Sequence, residues 1–303
     1  MFQVNNFTVR MKKFIKVNSS VLSIIFSFFA LAPLIAQTEN GNIWSDKNRL
    51  AFGNHLFCEK DYLRAIDEFQ SVLIKNWNDT LQFKIATSYF RMKHYDKAYN
   101  EFEKFTPNSS MYLQSENEKF RTLFLSENFS SMQNKIRNSK RYSGNNSIEL
   151  LRLLNSSMLL TNAELPQKSK FISIYENEDK NILSEFYNWK ENPPYKNPTK
   201  AAILSIIPGL GKIYADEIGD GITSFVLTGL FTYLAINKFQ NNQQTSAWIY
   251  TGLSAFFYSG NIYGSYTATQ NYNAGIKFNF ENEVKIFVND RNQFLPTPKF
   301  LCD

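Results

Sequence analysis

Hydrophobic and polar residues follow two different patterns along the chain. From about residue 46 to residue 187, apolar residues recur at helical spacing and a charged residue occurs every few positions, as in amphipathic helices. Charge then nearly vanishes, because the stretches 201–211, 221–237 and 239–276 contain no Asp, Glu, Lys or Arg. Long neutral stretches of this kind are typical of lipid-facing segments. The pattern therefore predicts an all-α protein with a helical region followed by a membrane region.

A proline-rich segment separates the two regions. Pro193, Pro194 and Pro198 lie close together, and such a cluster interrupts helices. The predicted organisation follows this division: helical repeats over residues 37–190, a linker over 191–200, a membrane domain over 201–270 and a short polar tail over 271–303.

The helical region repeats itself with a period of 33 residues. The shift superposes five identical residues: Lys60 on Lys93, Tyr62 on Tyr95, Ala65 on Ala98, Glu68 on Glu101 and Phe69 on Phe102. The spacings of the pattern L-G-x-x-Y…A-x-x-x-F recur in both copies: Phe52-Gly53, Leu56, Ala65 and Phe69 in the first, and Ile85-Ala86, Tyr89, Ala98 and Phe102 in the second. In this respect the region resembles the tetratricopeptide repeat family. The resemblance implies an α-solenoid of stacked helix pairs, in which small residues let the helices of a pair approach.

The copies also depart from the family pattern. Arg49 and Gln82 stand where the family often has Trp. A third copy is predicted over residues 113–140, with Met132 in place of the alanine at the close contact, and one more helix pair is predicted up to residue 187. We therefore expect three or four helix pairs.

Stacked helix pairs expose a concave face that commonly binds an extended peptide or a partner helix. The spacing places four residues on this face: Lys47, Asn54, Lys84 and Arg91. A basic groove with an Asn suits a carboxylate or the backbone of an acidic peptide. The alternative is that these residues are solvated side chains on a helix surface.

The neutral region predicts a pair of membrane spans. Residues 201–214 form a segment of about 14 residues, too short at about 1.5 Å per residue to cross a core of about 30 Å. We expect it to lie in the interface or to re-enter the membrane from the same side. The stretch 221–237 is long enough to span if it is extended a little by Ile218 and Gly219, and the stretch 247–266 forms a second span. A polar turn joins the two. Small residues that would let these two helices pack in lipid are Gly221, Gly229, Gly252, Gly260 and Gly264.

The segment leading into the first span carries a second resemblance. The run Pro208-Gly209-Leu210-Gly211-Lys212-Ile213-Tyr214, followed by Gly221-Ile222, is similar to the P-G-x-G-x-x-Y motif of bacterial two-helix membrane hairpin domains. The resemblance covers residues 197–266. It implies that Pro208, Gly209, Gly211 and Tyr214 shape the path into the membrane. Asp216 stands where these families often have Gly.

The N-terminus has the plan of a secretory signal. Residues 1–36 contain a basic stretch, an apolar core over 21–31 and the small residue Ala36 at their end. Met11 is an alternative start, and an uncleaved anchor is an alternative fate. No Cys follows the apolar core, which argues against a lipid-anchored lipoprotein.

Charge and cysteine content exclude several classes of protein. Without the four basic residues of the signal, 33 − 4 = 29 basic residues face 27 acidic ones, so the charge gives no case for nucleic-acid binding. Cys58 and Cys302 lie near opposite ends of the chain, which excludes a disulfide framework and a cysteine-based zinc cluster. One long-range disulfide remains open.

The sequence offers little for catalysis. It has no G-x-S-x-G and no H-E-x-x-H motif, and its two histidines, His55 and His94, are interpreted as packing or turn residues rather than metal ligands. Pro208-Gly209-Leu210-Gly211 is not followed by G-K-[ST], which argues against a nucleotide site. The acidic cluster over residues 216–220 is expected to be an exposed turn, with acid–base chemistry or cation binding as the alternative. We therefore expect no enzyme, no cofactor and no metal.

The polar tail has a strand-like pattern. Residues 275–280 and 284–288 alternate at period two and predict a small β-hairpin. With exported repeats and two spans, the turn over 238–246 faces the cytoplasm and the tail returns outside. If the segment 201–214 also spans, the tail is cytoplasmic. We predict a bacterial inner-membrane protein whose periplasmic repeats act as an adaptor for another envelope protein or peptide, with self-association possible. The alternative is that the membrane hairpin is the functional part, assisting insertion or solute passage, and that the repeats regulate it.

Overall fold

The computed structural model describes residues 43–138 and 148–298 and residue 302. Over these residues it contains thirteen α-helices and no strand, which confirms the predicted all-α class. The predicted signal lies outside the described residues. The chain forms two compact units, residues 1–111 with 300–303 and residues 112–299, so the division falls well before the proline-rich segment.

The first unit contains two successive helix pairs. They are α1 (Asp46–Cys58) with α2 (Tyr62–Leu73), and α3 (Asp79–Arg91) with α4 (Tyr95–Glu103). Phe69 and Phe102 are fully buried at equivalent places in the two pairs. A Cβ at Gly53 would stand 2.8 Å from Cε1 of Phe69, so glycine allows α1 to approach α2. The small residue acts here as the repeat pattern predicts.

The same turn joins the helices of each pair. Lys60 and Lys93 adopt left-handed φ values of 67° and 61°, and the N–H group of the following residue bonds back to the helix, from Asp61 to Leu56 O at 2.8 Å and from His94 to Tyr89 O at 2.9 Å. This is the Schellman arrangement that ends a helix. Glu127 makes it again in the second unit with φ of 58°.

An aromatic contact accompanies each of these three turns. The ring centroids lie 5.6 Å apart in the first, 5.8 Å in the second and 5.3 Å in the third, always with edge-to-face geometry. The pairs are Phe57 with Tyr62, Phe90 with Tyr95, and Phe124 with Phe129. The helices are therefore arranged in a repeat-like manner.

A polar contact also recurs in the first unit. Arg49 Nη1 lies 3.1 Å from Glu68 Oε2, and Gln82 Nε2 donates to Glu101 Oε2 at 2.8 Å. Both donors are on the first helix of a pair and both acceptors on the second. Arg49 and Gln82, which stand at equivalent positions of the 33-residue repeat, therefore each form a hydrogen bond between the two helices of a pair.

The second unit contains the other nine described helices. In chain order they are α5 (Tyr112–Leu125), α6 (Phe129–Asn138), α7 (Ile148–Leu159), α8 (Lys168–Ser173), α9 (Asn177–Glu191), α10 (Pro198–Leu204), α11 (Leu210–Tyr214), α12 (Ile218–Gln240) and α13 (Gln244–Asp290), followed by a short 3-10 turn at Asn292–Phe294.

Helix α13 is 47 residues long and has two different neighbours. Its first half runs antiparallel to α12, with the Phe231 and Phe257 rings stacked 5.2 Å apart. Its second half lies against α9, where the Trp189 and Phe280 rings stack at 3.9 Å. The predicted β-hairpin at residues 275–288 is therefore wrong, because these residues continue the helix.

The proline-rich segment is held against α13. Asn273 accepts a hydrogen bond from the N–H group of Lys196 and donates one to its carbonyl oxygen, both at 2.8 Å. The Tyr195 ring contacts the Trp189 ring edge to face at 6.0 Å. The predicted linker thus joins two parts of one compact unit.

One described helix, α12, is long and apolar enough to cross a membrane. Only 17% of its most apolar 18-residue window is buried within the described structure, so it is not a core helix of this chain. The first half of α13, which contains the predicted second span, does not reach the same hydropathy. It nevertheless exposes large apolar side chains such as Trp248 and Phe256.

Candidate functional site

Two of the four predicted partner-binding residues meet on the first helices of the two pairs. Lys84 Nζ on α3 donates to Asn54 Oδ1 on α1 at 2.8 Å. The ammonium group also lies 5.6 Å from the centre of the Phe57 ring, within the range of a cation–π contact. Lys47 and Arg91 lie on the same two helices and are exposed, and in the described structure they do not join this contact.

The ammonium group of Lys84 is partly shielded from water. Burial lowers the pKa of the Lys84 ammonium group, because desolvation disfavours the charged form. The Asn54 oxygen offsets this cost with only a neutral dipole. A carboxylate bound beside the pair would offset it further and would raise the pKa again.

One carboxylate that was not singled out from the sequence, that of Asp79, holds the loop after α4. Asp79 accepts hydrogen bonds from Ser109 Oγ at 2.5 Å, from Trp77 Nε1 at 2.7 Å and from the Ser110 N–H group at 3.1 Å. The Ser109 hydroxyl is the main cause that lowers the pKa of Asp79. Asp79 is therefore occupied in holding the loop. The cap sequence Asn78-Asp79 was a visible sign that a helix starts here.

The P-G-x-G-x-x-Y motif forms a tight crossing in the second unit. Gly209 has φ of 89°, and a Cβ there would stand 2.1 Å from the Gly221 carbonyl oxygen. A Cβ at Gly211 would stand 2.1 Å from the Ala201 carbonyl oxygen. Both positions therefore require glycine. Pro208 stands just before this crossing, between α10 and α11.

A buried Asn links this crossing to α13. Asn261 accepts a hydrogen bond from the Gly209 N–H group at 2.9 Å and donates one to the Ser205 carbonyl oxygen at 3.0 Å. Its side chain satisfies two backbone groups that no helix would satisfy. Asn261 was missed in the sequence, where its only sign is a polar residue within a neutral stretch.

The end of the motif is fixed by Tyr214 and Asp216. The Tyr214 hydroxyl accepts a hydrogen bond from the Asn197 N–H group at 3.1 Å. Asp216 adopts a left-handed φ of 68°, and its carboxylate pairs with Lys196 Nζ at 2.5 Å. Lys196 Nζ also lies over the Tyr272 ring. Asp216 therefore adopts a backbone conformation that favours glycine. Asp216 adds an ion pair at that position.

The predicted close-contact glycines divide into two groups. A Cβ at Gly221 would stand 2.6 Å from Ile213 Cγ1, and one at Gly264 would stand 3.1 Å from Lys212 Cε. Gly229, Gly252 and Gly260 have no neighbouring atom within 4 Å of such a Cβ. Gly221 and Gly264 therefore lie close to α11 and to the residue before it, while the other three glycines lie in open space. The packing of α12 on α13 through these five glycines stays a prediction.

The acidic residues beside α12 do not gather into one site. Asp216 is paired with Lys196, while Glu217 and Asp220 are exposed. In the described part of the chain, no group of three or more His, Cys, Asp or Glu side chains lies close enough to hold a metal ion. His55 and His94 are both exposed on the first unit.

The two cysteines form a disulfide within the first unit. Cys58 at the end of α1 is bonded to Cys302, across a sequence separation of 244 residues, with Cα atoms 5.8 Å apart. The sequence left this bond open. Disulfides persist in oxidising compartments such as the bacterial periplasm.

Comparison of the chain with protein-family models, curated proteins and solved structures gave no match. Its possible function therefore has to be argued from the contacts described above.

Proposed function

We propose that this chain is a membrane-anchored adaptor, whose repeat-like first unit binds another protein of the cell envelope in the periplasm. The contact between Lys84 and Asn54 carries the proposal, because it joins the first helices of two successive pairs into one polar surface. A half-buried ammonium group next to an amide suits a carboxylate of an extended peptide. No catalytic role is proposed for the residues described.

The repeat-like arrangement of the helices supports the solenoid in this proposal. The same left-handed turn, the same aromatic contact and the same polar contact recur at the repeat period. Helix pairs that repeat their contacts in this way stack side by side and form a continuous groove on the face of their first helices.

The proposed anchor consists of α12 and the first half of α13. Helix α12 meets the length and hydropathy of a span, and at about 1.5 Å per residue its 23 residues reach across a core of about 30 Å. Because α13 runs antiparallel to α12 and has no charged residue before Lys277, it would return through the same layer. This supports the predicted hairpin.

The disulfide supports the proposed topology. Cys58 precedes both proposed spans and Cys302 follows them, so a bond between the two requires an even number of crossings. The bond also favours the oxidising side of the membrane for both residues. Two spans with the repeats and the tail in the periplasm satisfy both conditions.

Thiol labelling tests this topology. In spheroplasts, we expect a membrane-impermeant maleimide to leave the oxidised protein unlabelled and to label both cysteines after reduction, because both sulfur atoms would face the periplasm. A Cys58→Ser variant should be labelled at Cys302 without reduction. Labelling that needs lysed cells would contradict the two-span topology.

Crosslinking and affinity purification test the adaptor. From native membranes, we expect Lys84→Ala and Asn54→Ala to reduce the recovery of a specific envelope protein at least fivefold, because each substitution removes half of the polar contact. Lys97→Ala on α4 is the matched control, since it removes the same charge from the second helix of a pair. Equal recovery with all three variants would contradict a binding role for this surface.

A second candidate function rests on the exposed glycines of the proposed anchor. Gly229, Gly252 and Gly260 leave open space on α12 and α13, and small residues on such faces allow a second copy to approach. Here the hairpin itself would be the functional part. If Gly229→Leu and Gly260→Leu caused the same loss of function in cells as deletion of the protein, while Lys84→Ala did not, this candidate would replace the adaptor.

A further inference from the structure

The disulfide holds one residue of the C-terminal tail beside the proposed binding surface. Cys58 lies four residues after Asn54 on α1. Residues four apart on a helix lie one above the other on the same face, with Cβ atoms about 5–6 Å apart. The Cα atoms of Cys58 and Cys302 are 5.8 Å apart. The Cα atom of Cys302 therefore lies within about 12 Å of that of Asn54.

The ammonium group of Lys84 lies in the same neighbourhood. It donates to Asn54 Oδ1 at 2.8 Å and stands 5.6 Å from the centre of the ring of Phe57, the residue next to Cys58. Burial lowers the pKa of Lys84, and no carboxylate of the described residues opposes this shift. A half-buried cation is thus about one helical turn from the place where the tail is attached.

The attached segment has the chemistry of the ligand proposed for this surface. Asp303 follows Cys302 directly in the sequence, and the apolar residues Phe300 and Leu301 precede it. A short segment with a carboxylate matches a surface made of an ammonium group and an amide. Cys302 makes no hydrogen bond to a described residue, so the disulfide is the bond that fixes its position.

We propose that the disulfide holds residues 300–303 on the surface formed by Lys84 and Asn54, where they exclude the partner until the bond is reduced. The inference rests on the proposed function, since it gives the same surface an occupant from within the chain. A covalently attached segment competes at a high effective concentration, so weak contacts with Lys84 suffice to exclude a partner that binds from solution. Reduction of the bond removes this advantage.

The bond is accessible to a reductant. Cys58 and Cys302 are both exposed, and exposed disulfides are often labile or regulatory. The reductant is a dithiol, as in thiol–disulfide oxidoreductases. One of its thiolates attacks a sulfur atom of the bond and forms a mixed disulfide, and its second thiolate then displaces that sulfur atom. Two electrons and two protons pass to Cys58 and Cys302, and the dithiol becomes a disulfide.

Competitive labelling with trace acetic anhydride measures the cover on Lys84. The full chain is held in lipid nanodiscs, and the acetylation rate of each lysine is followed from about pH 7 to about pH 11. The profile gives the pKa of each ammonium group and, separately, the limiting rate of its neutral amine. We expect the limiting rate of Lys84 to rise about fivefold in Cys302→Ser and in Cys58→Ser, because the tail is no longer held over the amine.

Two other lysines of the first unit are the matched controls. Lys47 lies near the start of α1, about 17 Å from Cys58 at about 1.5 Å per residue, and Lys97 lies on α4. Their limiting rates should stay unchanged in both serine variants. Deletion of residues 300–303, and reduction of the unchanged chain by a phosphine, should each reproduce the rise at Lys84. An equal rise at all three lysines would contradict a local cover.

Recovery of the envelope protein from native membranes tests the exclusion of the partner. We expect Cys302→Ser to raise this recovery about fivefold and an added Lys84→Ala to cancel the gain. An unchanged limiting rate of Lys84 in every variant would overturn the inference and leave the adaptor standing. A faster rate with unchanged recovery would overturn the exclusion of the partner. Recovery that does not depend on Lys84 in any variant would instead overturn the proposed function.

Discussion

Alanine at Gly211 is expected to break the contact of α10 and α11 with α13 and to lower the free energy of unfolding by about 3 kcal/mol or more. A Cβ at this position would stand 2.1 Å from the Ala201 carbonyl oxygen, 2.1 Å from Ser205 Oγ and 2.7 Å from Ser265 Cβ. The carbonyl belongs to the backbone of α10 and cannot rotate away as a side chain would. Thermal unfolding in detergent, followed by circular dichroism, measures the loss.

Gly229→Ala is the matched control for Gly211→Ala. Gly229 also lies in a helix of the same unit, but nothing stands within 4 Å of its Cβ position. Alanine is favoured over glycine in a helix interior by about 1 kcal/mol, so the control should unfold at the same or a slightly higher temperature. A similar loss of stability in both variants would show that the crossing at Gly211 is not a close contact.

The helices of the first unit were predictable because each copy of the repeat makes the same local contacts. The period of 33 residues placed Lys60 and Lys93 at equivalent positions, and both form the same left-handed turn. Two further contacts could have been predicted from the sequence. Arg49 and Glu68 are separated by 19 residues, as are Gln82 and Glu101, and both pairs are in contact. A shared separation of polar residues is therefore worth seeking within a repeat.

The second half of α13 shows why periodicity alone misled the prediction for the tail. Residues 275–288 alternate between apolar and polar positions, as in a strand. However, Phe280, Val284, Phe287 and Val288 are also spaced for one face of a helix, and all four are buried. The helix is favoured because it presents this face to Phe186 and Trp189 on α9. A strand would have placed every second residue on the opposite side.

The hydrogen bonds that Asn261 and Asn273 make within the second unit could not be predicted from the sequence. Asn261 bonds to Gly209 across 52 residues, and Asn273 bonds to Lys196 across 77 residues. Each is one polar residue in a long neutral stretch. No local pattern names the backbone groups that such a residue will satisfy. In contrast, the glycines of the motif were visible, since their spacing is itself the signal.

Replacing Arg121 by methionine is expected to lower the free energy of unfolding by about 3–5 kcal/mol. The Arg121 side chain is buried on α5, where it donates to the carbonyl oxygens of Asn292, Leu295 and Pro296 at 3.0–3.2 Å. Its Nε atom also lies 3.2 Å from Glu118 Oε2, and this carboxylate is buried too. Methionine would fill similar space but leave a buried charge and three carbonyl groups unsatisfied.

In the Arg121→Met variant, we expect residues 292–296 to detach from α5 before the rest of the unit unfolds. Asn292, Gln293 and Phe294 have left-handed φ values of 48°, 54° and 57°. Such conformations cost about 1–2 kcal/mol for each residue other than glycine, so the segment needs contacts that hold it. We therefore expect trypsin to cleave the Arg121→Met variant after Arg291 at temperatures where the unchanged chain resists. Resistance of the variant at those temperatures would contradict this role.

A pair with the same spacing provides the control for burial. Arg64 and Asp61 form an ion pair three residues apart, as Arg121 and Glu118 do, but both side chains are far more exposed. Arg64→Met should therefore leave the unfolding temperature nearly unchanged, because solvent screens the charges. Adding Glu118→Leu to Arg121→Met should recover the part of the loss that comes from the buried carboxylate. It should not protect Arg291 from trypsin, since the carbonyl groups of the segment remain without their donor.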